Sequence, residues 1–222
     1  MPVVRALPRL RTNLLAYGAA RPRTSADAVT FDLGSGRPTV ARDDWRGAHI
    51  RLASGREPSD LDAALAPSVA GGAAALLLRA VLERQDVRNA DVALRRHELR
   101  AGVEPGVARL ILEVDSAWTL AELPALLAAV DRHGGVTLNV EALAADLALR
   151  GALDAGSPSL QHAVAHVALA ASAARLPWWL LAPAADPGVR ARLAELAYRE
   201  GAAGIYVAAE PEVAGFNALF GG

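Results

Sequence analysis

The sequence predicts a (β/α)8 barrel, and three observations carry that expectation. Eight short apolar runs recur along the 222 residues, most of them alternating with amphipathic stretches of helical length. Some runs, such as Ala73 to Leu78, are apolar without interruption, as strands covered on both faces must be. Acidic side chains also gather where neighbouring runs end: Glu113 and Asp115 close one, and Glu141 opens the helix after the next. Carboxylates at the carboxyl ends of parallel strands are how a barrel rim is equipped for chemistry. A doubly wound open sheet is the alternative reading of the same alternation.

Thr12 to Tyr17, Ala28 to Leu33 and His49 to Ala53 are strand-length runs, with Asp43 and Asp44 set to begin a turn of helix before the third. Parallel strands ordinarily need a dozen or more residues to cross over. The first two crossovers are therefore expected to be abbreviated. Ser59 is placed to cap a helix over Asp60 to Val69, with acids in its first turn. After the strand at Ala73 to Leu78 comes a charged helix, Asp86 to Leu99, ended by Gly102. Ala108 to Val114 is the next strand, followed by a helix over Thr119 to Asp131 that Gly134 and Gly135 close. A strand over Val136 to Asn139 leads to a helix at Glu141 to Leu149. The helix over Leu160 to Ala174 has Ser159 as its cap and Pro177 beyond its end. Trp178 to Ala182 and Gly204 to Ala208 are the last strands, and Pro187 to Glu200 and Pro211 to Phe220 the last helices. No linker or 20–50-residue repeat interrupts this rhythm, so residues 1–222 are expected to form one domain.

Composition narrows the function. With 23 basic and 24 acidic residues there is no electrostatic reason to expect nucleic acid or an anionic membrane as partner. The absence of Cys excludes disulfides, thiolate metal sites and a Cys nucleophile. MPVVRALPRLRTNLL lacks the apolar core of a signal peptide, and the stretch from Ala155 to Ala174 is interrupted by Gln161, His162 and His166, so a cytoplasmic protein is expected.

Four segments, in order, resemble the HpcH/HpaI aldolase and citrate lyase beta-subunit family. Arg109-Leu110-Ile-Leu-Glu113-Val114-Asp115-Ser116-Ala117 is similar to that family's R-L-x-x-x-[IV]-E-[TS]-A. Asn139-Val-Glu141-Ala142-Leu143-Ala-Ala-Asp146-Leu147 is similar to its G-x-E-D-L-x-x-D-L, and the helix from Leu160 to Ala171 to its L-x-x-A-R-x-x-[VL]-x-L-A-A. At the end, Gly201, Gly204, Pro211, Asn217 and Phe220 keep the family's spacing, while its I-H-P has become Ala209-Glu210-Pro211.

The resemblance implies a (β/α)8 barrel, usually trimeric or hexameric. It implies carbon–carbon bond cleavage or formation next to a carbonyl, on acyl-CoA thioesters or 2-oxo acids, with a bound Mg²⁺. A hard cation held by carboxylates polarises the carbonyl and stabilises the enolate, while arginines clamp substrate carboxylates. Transferred to this chain, Asp115 takes the place of the metal-binding Glu, with Glu141 and Asp32 as auxiliary acids. Ala142 stands where the second metal carboxylate belongs. Arg51 matches the arginine of the third strand and Arg11 the one that opens the first, so both are candidate substrate clamps. Arg51 and Asp32 are the candidate catalytic pair. The family's P-K-V-E-S has become Arg79-Ala80-Val81-Leu82-Glu83.

Blander readings stand beside these. Arg11 and Arg51 are equally well explained as strand-end cations pairing with Asp32 or Asp115. Glu113 and Asp115 could face a neighbouring Arg on a solvated rim. His162 and His166 have the i, i+4 spacing of helix metal ligands but lack the acid of H-E-x-x-H, so packed histidines are favoured. Gly34-Ser35-Gly36 reads as a turn rather than a phosphate cradle. Arg95-Arg96-His97 with Arg100 reads as a solvated helix face. Of Trp178 and Trp179, one ring should point inward and the other pack under a helix or at a subunit contact.

Two functions follow. One is a metal-assisted lyase or aldolase on acyl-CoA or 2-oxo acid substrates. The other is a catalytically degenerate member, either a structural or regulatory partner of an active paralogue or a ligand binder without turnover. A sector near Thr12 to Ala53 without covering helices would expose apolar surface, and so a homo-oligomer, or a hetero-oligomer with a paralogue, is expected.

Overall fold

The computed structural model describes residues 7, 10–16, 22–33, 45–55, 58–150 and 153–221. Its strands are β1 (Thr12–Ala16), β2 (Ala28–Asp32), β3 (His49–Ala53), β4 (Ala75–Arg79), β5 (Arg109–Val114), β6 (His133–Asn139), β7 (Trp178–Leu181) and β8 (Gly204–Val207). All pair in parallel with their sequence neighbours, and β8 returns to β1 through Thr12–Ile205, Asn13–Tyr206 and Leu14–Val207. The sheet is thus a closed barrel, as the alternation predicted, and the open sheet is excluded. The helices are α1 (Pro58–Ala70), α2 (Arg84–Arg100), α3 (Ala117–Ala121), α4 (Leu123–Leu127), α5 (Val140–Asp146), α6 (Pro158–Ala173), α7 (Pro187–Arg199) and, after a 3-10 turn at Glu210–Glu212, α8 (Val213–Leu219).

Strand alternation separates two apolar cores. Outward residues such as Val29, Phe31, Ile50, Leu76, Leu112 and Leu138 meet the helices in one layer. Inward residues Leu15, Ala75, Leu77, Ile111, Trp179, Leu181 and Tyr206 fill the lumen. The lumen is closed at its amino-terminal end by Trp179, whose Nε1 donates to the Leu10 carbonyl at 2.8 Å, with Leu7 against it. Trp178 packs in the outer layer, so the two rings divide as expected.

Several local features depart from the expectations, among them Ser159, which lies inside α6 while Ser157 holds its N-cap position. The helix foreseen over Thr119 to Asp131 is broken into α3 and α4, because Pro124 has no N–H to donate and its ring crowds the preceding turn. Gly134 and Gly135 do not end a helix but lie in β6; a Cβ on Gly135 would run into the Trp179 indole. The helix foreseen to Leu149 stops at Asp146, and Ala148 takes a left-handed conformation at φ 50°.

The first crossovers hold no α-helix among the described residues, only a 3-10 conformation at Trp45, yet the faces they were expected to leave bare are covered. Val29, Phe31 and Leu52 are fully buried within the single chain. Trp45 lies edge-on against Phe31 with ring centroids 5.2 Å apart, a contact of roughly 0.5–1.5 kcal/mol beyond its area. Thr12 donates to Asn217 of α8 at 2.8 Å, and Glu210 accepts from the Ser25 N–H at 2.8 Å and from Thr24, which ties the first crossover to the last. The exposure argument for an interface in this sector is therefore removed. Asp43, Asp44, Gly34-Ser35-Gly36 and the Ser59 side chain lie outside what is described.

Candidate functional site

The carboxyl ends of the strands form the mouth of the barrel, and its centre is Arg51. Parity places Arg51 of β3 inward, two residues after His49. Its Nε donates to Glu113 Oε2 at 2.7 Å and its Nη2 to Oε1 at 2.5 Å, a bidentate pair, while Nη1 reaches Asp32 at the end of β2. Glu113 is fully buried, and its Oε1 also accepts from Asn139 Nδ2 at 2.8 Å. Burial works against the charge on Arg51, but Glu113 and Asp32 more than offset it and hold the guanidinium protonated above its ordinary range. Charge-assisted bidentate bonds are the strong ones. Asn139 has a second task, since its Oδ1 caps α5 by accepting from Ala142 N at 3.0 Å.

Below this network the lumen stays polar for one more layer. Thr30 donates to Asn13 Oδ1 at 2.9 Å, Asn13 Nδ2 lies 3.0 Å from His49 Nδ1, and Thr137 donates to the Tyr206 hydroxyl at 3.5 Å. Burial pushes the His49 imidazole down to about 4 and holds it neutral, and raises the Tyr206 phenol.

The two candidate metal carboxylates lean to opposite sides of the mouth. Asp115 Oδ2 accepts from Ala80 N at 2.7 Å in the connection after β4, where Ala80 is left-handed at φ 54°. Glu141 Oε1 accepts from Ala184 N at 2.7 Å in the connection after β7. Burial raises both carboxyls above the usual range; the charge of Glu113 adds to the shift at Asp115, whereas backbone donors and Arg190 oppose it at Glu141.

A Mg²⁺-type ion wants several oxygens converging on one point in near-octahedral geometry. Here Glu113 is committed to Arg51, Asp115 and Glu141 each hold a backbone N–H, and among the described residues no group of three or more His, Asp or Glu converges. The residues present do not fit a resident cation.

Arg11 stands at the other end of the barrel. It precedes β1, and it pairs through Nη2 at 2.9 Å with Asp27, which precedes β2; that hydrogen bond holds the Asp27 carboxyl below its usual range. Arg11 and Arg51 are thus not brought together, and Arg11 pairs with neither Asp32 nor Asp115. Asp32, Arg51 and Glu113 are brought together. In the expected run, Arg95 and Arg96 form ion pairs with Asp91, Asp131 and Asp62, and His97 is buried rather than solvated, with its Nε2 2.9 Å from Asp62 Oδ1. His162 and His166 face each other along α6 with ring centroids 6.0 Å apart.

Two mouth residues escaped the sequence reading. Asn139 carried a signal, an Asn at a strand end just before a helix, which is a cap position. Arg79 was missed because the strand was ended at Leu78; it is the last residue of β4, on the same face as Ala75 and Leu77.

A sequence profile of the HpcH/HpaI aldolase/citrate lyase family matches residues 21–186, well over half of the chain. The chain belongs to the HpcH/HpaI aldolase/citrate lyase family. Solved structures with the same fold include RipC from Yersinia pestis, at TM-score 0.71 and 18% identity over 95% of this chain and 94% of that one. A citrate lyase from Burkholderia xenovorans LB400 aligns at TM-score 0.77 and 13% identity, over 99% and 78% of the two chains. Haloferax volcanii malate synthase aligns as a magnesium/glyoxylate complex at TM-score 0.73 and 14% identity (97% and 76%), and as a pyruvate/acetyl-CoA ternary complex at 0.71 and 14% (95% and 69%). At such identities these are likenesses of fold. No curated protein matches the sequence. No described helix is long and apolar enough to cross a membrane.

Proposed function

We propose that this chain is a catalytically degenerate member of the HpcH/HpaI aldolase/citrate lyase family that binds a small carboxylate at the barrel mouth without metal-assisted carbon–carbon chemistry. The observation that carries this reading is the bidentate Arg51–Glu113 pair, closed on its other side by Asp32. An arginine that clamps substrate must have free N–H groups at the mouth, and this one spends them on two protein carboxylates. A metal centre must have carboxylates that converge on one point, and Asp115 and Glu141 accept backbone hydrogen bonds in connections that draw them to opposite sides. The binding role rests on the position of the site, since ligands of this barrel architecture enter at the carboxyl ends of the strands.

The competing reading is a Mg²⁺-assisted lyase or aldolase on acyl-CoA or 2-oxo acid substrates, with Asp115 and Glu141 as ligands and Arg51 and Asp32 acting on substrate. Its support is the malate synthase of like fold captured with magnesium and glyoxylate, and the position of Asp115 just beyond the end of β5. It requires the Arg51 pair to open and the Asp115 and Glu141 carboxylates to turn towards a single ion. Incubation with oxaloacetate, and with acetyl-CoA plus glyoxylate, in Mg²⁺ and in Mn²⁺, followed by proton NMR, separates the two. Product formation no faster than the protein-free control supports the degenerate reading. Metal-dependent turnover that Asp115→Ala abolishes would overturn it.

A further inference from the structure

We infer that Arg79 is the residue that recognises an oxyanion at this mouth, so that the anion-reading role has moved from the third strand to the end of the fourth. This rests on the binding reading above and names its chemistry. Arg79 closes β4 and follows Ala75 and Leu77, both lumen residues, so strand alternation aims its side chain into the barrel opening. It is half-buried, and its Nε is buried with no hydrogen-bond partner. A buried donor left unmet is destabilising, so an acceptor supplied from outside would recover what the fold leaves unused.

The other mouth cations differ. All three nitrogens of Arg51 are engaged by Glu113 and Asp32, and all three of Arg190 by the carbonyls of Ala182, Pro183 and Ala185 together with Glu212. Arg79 has an acid within electrostatic reach, Asp115, but that carboxylate accepts from the Ala80 N–H and forms no ion pair with the guanidinium. The guanidinium fork therefore stays available, and its parallel N–H groups match two oxygens of one planar or tetrahedral anion. The ligand chemistry is a carboxylate or a phosphoryl group on a small molecule.

The Nε–H of arginine gives its own cross-peak in a proton–nitrogen NMR spectrum, so the test reads the residue directly. The Arg79 peak is the one lost in Arg79→Lys, with a triple-resonance assignment of the wild-type chain as the check. Malonate and inorganic phosphate are titrated separately, in EDTA and then with Mg²⁺. The expected result is a saturable shift of the Arg79 peak in EDTA and binding weakened about tenfold or more in Arg79→Gln, the effect of one charge-assisted hydrogen bond. Arg79→Lys, which keeps the charge but not the fork, should bind at an intermediate strength. A response to malonate alone identifies a carboxylate ligand, and a response to phosphate alone a phosphoryl group. An Arg79 peak that neither anion moves, or wild-type affinity in Arg79→Gln, would overturn the assignment. A shift of that peak only when Mg²⁺ is present would keep the assignment and refute the metal-free reading instead.

Discussion

The guanidinium of Arg51 and the carboxylate of Glu113 meet edge to edge inside the barrel, Nε to Oε2 at 2.7 Å and Nη2 to Oε1 at 2.5 Å, across β4 from one another. Neither is a free side chain. Each is the counter-charge that lets the other remain in the lumen, and Asp32 and Asn139 complete the set. Removing one member of such a pair leaves an uncompensated charge. Arg51→Met should therefore cost about 3–5 kcal/mol of stability, because Glu113 is fully buried. Arg51→Met/Glu113→Leu should cost clearly less than the two single changes added together, since the double variant leaves neither Arg51 nor Glu113 as a lone buried charge and takes from Asp32 only its Arg51 contact. Urea denaturation of the four proteins measures this; additive losses would show that the pair is not coupled.

Gly135 tests the packing below the mouth. A Cβ there has no room beside the Trp179 indole, whose Nε1 is fixed on the Leu10 carbonyl. Gly135→Ala should destabilise by about 1–3 kcal/mol, the usual range for overpacking. Combining it with Trp179→Phe, which shortens the ring, should cost less than the sum. A neutral Gly135→Ala in thermal unfolding would mean that the lumen is looser than described.

The lumen histidine sets a pH dependence. His49 is neutral in the folded barrel, with its imidazole pushed down to about 4, whereas in the unfolded chain it titrates near 6.5. Between those values the unfolded state holds a proton that the folded state does not, so stability rises with pH through the window. The contribution is complete above about 6.5 and is lost as pH falls towards 4. A full shift of this size is worth roughly 3 kcal/mol. Burial lowers His133 in the same way, so the acid-side loss has two sources. His49→Gln should remove about half of the loss between pH 6.5 and 4 while leaving stability at pH 8 less affected. An unchanged pH profile would place the titration elsewhere.

How much of this the sequence disclosed depends on the scale of the physics. The alternation of strand and helix follows from local apolar runs, and it gave the closed barrel, the abbreviated crossovers and the division of Trp178 from Trp179. Asp32 and Arg51 were legible as a pair because they lie on consecutive strands, where they stand side by side in register. Gly135 was misread because its reason lies in Trp179, more than forty residues away, and not in its own neighbours. Pro124 could have been read as a helix break on local grounds alone. The partner of Arg11 depends on which end of the barrel a residue occupies, and its place before the first strand was the available clue. Arg79 was lost to a strand boundary set one residue short, and the consequences of Ala142 could be judged only once Asp115 and Glu141 were seen to lean apart.

The central claim is that the mouth holds no resident divalent cation and reads anions without one. It is tested most directly by isothermal titration of the wild-type chain with Mg²⁺ and with Mn²⁺, each alone and in the presence of pyruvate. The expected result is no saturable heat for either metal in either condition, with pyruvate binding unchanged when EDTA replaces the metal. Saturable Mg²⁺ or Mn²⁺ binding that pyruvate strengthens and Asp115→Ala abolishes would contradict it.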